Sequence, residues 1–185
     1  MADPDAIRRE VIDWFERAVL GLNLCPFAHR PWQDEAIRFA LSEASDELAL
    51  LADLEAELER LDHHPEIETT LLILARALPD FDDYNDFLDR ADALLEQGGW
   101  SGVYQIASFH PHYRFADSLG DDDAADWSNR SPWPLLHLIR EESLERAIAA
   151  HPDPDSIPAA NMQRLRGLSP QQMRALFGSR YPLSD

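Results

Sequence analysis

The sequence predicts an α/β fold: a small, about three-stranded parallel or mixed sheet covered by helices, with additional C-terminal helices. Three observations predict it. Residues 69–77 form a nearly continuous apolar run, Thr69-Thr70-Leu71-Leu72-Ile73-Leu74-Ala75-Arg76-Ala77. That is the pattern of a strand covered on both faces and therefore central. Residues 36–42 alternate instead, with Ile37, Phe39 and Leu41 facing one way and Arg38 and Ser42 the other, as in a half-buried edge strand. Helical periodicities separate the strand patterns, so the order is helix, then strand–helix–strand–helix–strand. That order favours right-handed crossovers in a layered α/β domain. A ferredoxin-like α+β sandwich is the alternative.

Each element has its own local reason. Ile7, Val11, Trp14, Phe15, Ala18, Val19 and Leu22 make one apolar stripe on a helix over 5–22, and Gly21 and Asn23 mark its end. Leu24-Cys25-Pro26-Phe27-Ala28 is a short apolar turn, because Pro26 biases Cys25 away from helical geometry. After the strand at 36–42, Ser45 or Asp46 caps a helix whose seam is Leu48, Leu51, Leu54, Leu58 and Leu61. Asp80 caps the next helix, which carries Phe81, Tyr84, Leu88, Ala91, Leu94 and Leu95 and is closed by Gly98-Gly99. Residues 102–109 are the third strand. A loop of about twenty residues follows, from Pro111 to Arg130, with Asp121-Asp122-Asp123 at its tip; loops of that length in compact domains are often functional. A helix is expected from about Pro134 to Ala150. Two short helices follow over 157–167 and 170–177, the second with Ser169 as cap and Pro170 at its first position.

Composition narrows the function classes. At 185 residues and 45% apolar, with no internal repeat or linker, the chain is expected to form one domain, 1–185. It carries 35 acidic against 16 basic residues, a formal charge of −19, and every basic residue is Arg. Such a surface repels phosphodiester backbones, so no nucleic-acid partner is expected. No apolar run approaches the ~20 residues of a membrane span, so no membrane partner is expected either. The acidic start Met1-Ala2-Asp3-Pro4-Asp5 does not read as a signal peptide. One cysteine fits a reducing compartment, and a cytoplasmic location is expected.

Candidate functional residues cluster in three stretches. Cys25 is the sole thiol. It can be a nucleophile if a cation or helix N-terminus lowers its pKa, or a small buried apolar residue. Its place after a helix C-terminus argues against a thiolate. His110 and His112, two apart in an extended segment, project to one side. They can hold a divalent metal such as zinc, with His137, Cys25, Asp117 or Glu141 as further ligands. One of them can instead be a general base, or both can tie down loop carbonyls. Asn129-Arg130-Ser131-Pro132 before a helix start would make an anion site, the helix dipole and guanidinium reinforcing each other, or is ordinary capping with Arg130 paired to one of the many acids. Parallel strands would place that site at their carboxyl ends. Arg140 joins Asn129, Arg130 and Ser131 as a candidate substrate-binding residue, and His137, on a largely apolar face, joins Cys25 and His110 as a candidate catalytic residue.

Gly21-Leu22-Asn23-Leu24-Cys25-Pro26-Phe27-Ala28, His110-Pro111-x-Tyr113-x-Phe115-Ala116 and Asn129-Arg130-Ser131-Pro132-x-Pro134-x-x-His137-Leu138-x-Arg140-Glu141-Glu142-Ser143 together resemble a bacterial family. It is the one catalogued as domain of unknown function 1415. The resemblance runs to about Leu168, leaving 169–185 as a variable tail, and Trp133 stands where Tyr is expected. It implies one domain and a shared motif set, and no chemistry. Three functions are therefore carried forward. The first is an enzyme acting on a small anionic substrate through a His/Arg/Cys site. The second is a metal-binding protein using His110 and His112. The third is a non-catalytic interaction module, with Trp32, Trp100, Trp127 and Trp133 as its surface aromatics.

Overall fold

The alternation of apolar side chains sorts the strands into a single sheet with two greasy faces, and helices cover both. The computed structural model describes residues 3–120, 123–178 and 181. Its strands are β1 (Ile37–Ser42), β2 (Thr69–Leu74), β3 (Tyr104–Phe109) and β4 (Leu135–Arg140), in spatial order β1-β2-β4-β3. β1 pairs parallel to β2; β4 runs antiparallel to both β2 and β3. The mixed sheet thus has four strands rather than three. The three expected strands share one direction, β2 is central and buried throughout, and β1 is an edge.

One face carries Ala40, Leu72, Leu74, Leu136 and Leu138. They pack on α3 (Glu47–His63) and α4 (Phe81–Gly98) through Leu50, Leu54, Leu58, Tyr84, Phe87 and Ala91. Asp46 and Asp80 cap these two helices, accepting from the N–H of Ala49 and of Asp82 and Asp83. Gly99 ends α4 at φ 76°, a left-handed conformation natural to glycine. The other face carries Leu71, Ile73 and Leu135. It is covered by α1 (Pro4–Trp14), by the π-helical Phe15–Leu20 that continues it, and by α6 (Ile157–Arg166) and α7 (Pro170–Phe177). Two further helices lie nearer the site, α2 (His29–Gln33) and α5 (Glu141–Ala150). Helices on both faces rule out the ferredoxin-like alternative, which stacks its helices on one face.

The main correction concerns 134–150. The expected helix start at Pro134 is instead the lead into β4, and helix begins only at Glu141. Leu135, Leu136 and Leu138 are fully buried on alternating faces, and the Pro134 carbonyl accepts the Leu74 N–H at 2.9 Å. A short, mostly apolar run such as residues 135–139 cannot be told from buried helix by periodicity; here pairing with two neighbouring strands decides it. Of the acidic loop tip, Asp121 and Asp122 lie outside the described residues. Asp123 is buried, paired to Arg166 at 2.6 Å and bonded to the N–H of Leu119 and Ala125. The Arg166 guanidinium holds its carboxyl well below the usual carboxylate range.

Candidate active site

Cys25 is set in place by an unusual helix ending. The π turn bonds Gly21 N–H to Glu16 O at 3.0 Å and Leu24 N–H to Val19 O at 2.9 Å. A Cβ on Gly21 would lie 2.2 Å from the Arg17 carbonyl oxygen, so glycine alone fits there. Asn23 turns the chain at φ 51°. From α6, Asn161 donates to Leu24 O and Arg164 to Leu22 O, both at 2.6 Å. Cys25 is then extended (φ −125°, ψ 98°), as the following Pro26 requires, and opens the 3-10 turn Pro26–Ala28 that leads into α2. It therefore precedes a helical segment as well as following one. Burial pushes its thiol pKa up, and the backbone of Phe27 and Ala28 pulls it the other way. Burial wins, so the resting group is a thiol rather than a thiolate.

His137 sits mid-β4, opposite Leu71 and Ala107. Its Nε2 is 2.6 Å from Thr69 Oγ1, and Thr69 Oγ1 is 2.6 Å from the Leu138 carbonyl. A carbonyl only accepts, so the threonine hydroxyl donates to it and must accept from His137. That assigns the proton to Nε2 and leaves Nδ1 with a lone pair. Desolvation lowers the His137 pKa to about 4, so the imidazole is neutral at ordinary pH. The arrangement is that of an oriented base whose second nitrogen is left available.

Cys25 and His137 line one cavity of about 690 Å³, a size typical of small-molecule sites. Its floor is Ile37, Thr69 and Ile139, its walls Phe15, Phe27 and Pro31, and its far side the Ser143, Leu144, Ala147 and Ala150 face of α5. Arg30, Asp34, Glu68 and Arg146 supply its charge. Ile37 and Thr69 are the first residues of β1 and β2, so the cavity opens at the strands' amino ends. The carboxyl-end expectation concerns Arg130; His137 instead sits mid-sheet and its Nε2 reaches Thr69, the first residue of β2. Among the described residues, no hydrogen bond joins Cys25 directly to His137; both line the cavity that a ligand or water would fill.

The other predicted residues lie elsewhere. His110 is fully buried; its Nε2 donates to Leu78 O at 3.2 Å and its Nδ1 accepts the His112 N–H at 3.0 Å. Both ring nitrogens are committed, which removes His110 as a metal ligand in this state, and burial lowers its pKa. It packs on Phe81 and Tyr84 by α4, away from Cys25. Among the described residues no group of three or more His, Cys, Asp or Glu is placed to hold a metal ion. Arg130 donates to Tyr113 O at 2.9 Å, lies 3.6 Å from buried Asp126 and stacks on Trp127 at 4.9 Å. With β4 following it, no helix dipole adds to its charge. Asn129 donates to Ser108 O and Ser131 to Trp133 O. Arg140 points to the opposite sheet face from His137, donating to the carbonyls of Leu61, His64 and Ile67. The four tryptophans do not form a surface: Trp100 and Trp127 are buried, Trp32 packs on Phe15 and Phe39, and Trp133 donates to Glu10. Thr69, Arg30 and Arg146 carried no sequence mark; only the strand pairing and the packing of α2 and α5 bring them to Cys25.

Comparison with known proteins returns a family model, described as a protein of unknown function (DUF1415), over residues 6–175. Searches of curated proteins and of solved structures return no match.

Proposed function

The chain belongs to the DUF1415 family, and from its geometry we propose that it is an enzyme acting on a small anionic substrate through Cys25 and His137. The observation that carries this reading is that the sole thiol and a histidine with an uncommitted Nδ1 line the same cavity. Cys25 Sγ is the nucleophile and His137 Nδ1 takes its proton as the substrate arrives. Thr69 and the Leu138 carbonyl fix the tautomer, in the role a third group plays in a catalytic triad. Burial keeps both partners neutral at rest, which protects the thiol until an electrophile is seated. Arg30 and Arg146 receive the anionic group. In a chain of net charge −19, two guanidiniums in the lining of one cavity give small anions a place to land.

The pH dependence of Cys25 alkylation by iodoacetamide tests this. With His137 as proton acceptor, the wild-type rate at about pH 7 exceeds what the small thiolate fraction allows, and it falls as pH drops toward about 4. His137→Gln keeps an N–H for Thr69 and loses the base, so its rate at about pH 7 falls ~tenfold or more. The two profiles then converge only at alkaline pH, above the raised Cys25 pKa, where the thiolate forms unaided. Superimposable profiles would overturn the proposal. So would a wild-type profile with no inflection in the acid range, which needs no variant.

A further inference from the structure

The substrate class can be narrowed from the one long helix that lacks a covered face. Among the described residues, every other helix of eight or more residues buries at least two side chains, whereas α5 buries none. Three of its apolar positions, Leu144, Ala147 and Ala150, line the Cys25 cavity, while Ile148 is exposed. Ile37, Ile139 and Phe15 line the same cavity. α5 is thus one wall of an apolar slot whose opposite wall is the sheet. Its ends are anchored, by direct continuation from β4 and by His151, whose ring meets Phe27 edge-on at 5.9 Å.

We propose, building on the Cys25–His137 reading, that the slot takes a monocarboxylate with an extended apolar body. The body lies between α5 and the sheet, and the carboxylate is held at the opening by Arg30 and Arg146. Burial of apolar surface on both walls supplies the driving force. At present Arg30 pairs with Asp34 at 3.5 Å and Arg146 with Glu142 at 3.6 Å. Both pairs are solvent-exposed, the kind that contribute little, so a ligand carboxylate replaces these partners at small cost. Bidentate geometry favours a planar carboxylate on a guanidinium. Glu68 at the same cavity opposes a second negative charge, which selects a single anionic group.

Protection of Cys25 from iodoacetamide is the readout, with octanoate, octan-1-ol, n-octylamine and the dicarboxylate suberate as probes. Octanoate is expected to slow alkylation ~tenfold or more at saturation, and the alcohol, the amine and the dianion to do so far less. The double variant Arg30→Ala/Arg146→Ala should lose the advantage of octanoate over octanol, and Leu144→Glu should abolish protection by octanoate. Equal protection by octanol or octylamine overturns the substrate class, as does full protection by octanoate in the double arginine variant. Should no probe protect while His137→Gln still slows alkylation, the substrate class fails and the catalytic pair stands. Should His137→Gln leave the alkylation rate unchanged, the catalytic pair fails whatever octanoate does.

Discussion

At His137, burial and hydrogen bonding act together on one proton. The Thr69–Leu138 relay holds that proton on Nε2, and desolvation keeps a second one off Nδ1 down to about pH 4. The unfolded chain protonates the same imidazole near 6.5. Between those values the unfolded state binds more protons than the folded state, so stability must fall as pH drops through that window. The contribution is of order 3 kcal/mol. Urea midpoints at about pH 7 and about pH 4.5 should therefore fall further in wild type than in His137→Gln, which has nothing to protonate. Parallel loss in both proteins would show that His137 is not held neutral. Cys25 and His137 were both recognisable in the sequence as chemically capable. Their meeting was not, because it depends on Leu71 and Ala107 flanking His137 in the sheet, and those are long-range pairings. His110 and Arg130 resemble site residues in the sequence for a physical reason: each satisfies a backbone carbonyl, and stretches of buried polar side chains doing that are as densely polar as a site.

At the scale of elements, β4 decides the architecture. Residues 135–140 carry four apolar residues around His137, which itself lies four residues before Glu141, and that suits helix and buried strand equally. Only the company of β2 and β3 separates the two. The helices were more legible, since their caps are local: Asp46, Asp80 and Ser169 all make the side-chain bonds their positions imply. Tyr84, on α4, ties the edge of β3 to β4. Its hydroxyl donates to Leu135 O at 2.6 Å and accepts the Phe109 N–H at 3.1 Å. Tyr84→Phe removes both bonds in a buried setting and should cost about 1–3 kcal/mol, read as a fall in urea midpoint. It should also speed amide exchange at Phe109. A stability equal to wild type would mean that the β3–β4 junction does not need this tie.

For the whole molecule, the opposing facts are a well-filled two-sided core and a surface with more than twice as many acids as bases. Most of the surface ion pairs are exposed and contribute little, so self-repulsion should outweigh them. The urea midpoint is therefore expected to rise from about 0.05 to about 1 M NaCl as screening shortens the reach of that repulsion; a flat or falling midpoint would contradict this. The central claim is narrower: one cavity joins Cys25 to a neutral, Nε2-protonated His137. Long-range ¹H–¹⁵N correlation spectra of ¹⁵N-histidine-labelled protein, recorded across pH before and after carbamidomethylation of Cys25, test it most directly. The expected result is a His137 imidazole in the Nε2–H form that titrates near 4, with its Nδ1 resonance displaced when the adduct fills the cavity. A His137 that titrates near 6.5, or whose resonances ignore modification of Cys25, would contradict the claim.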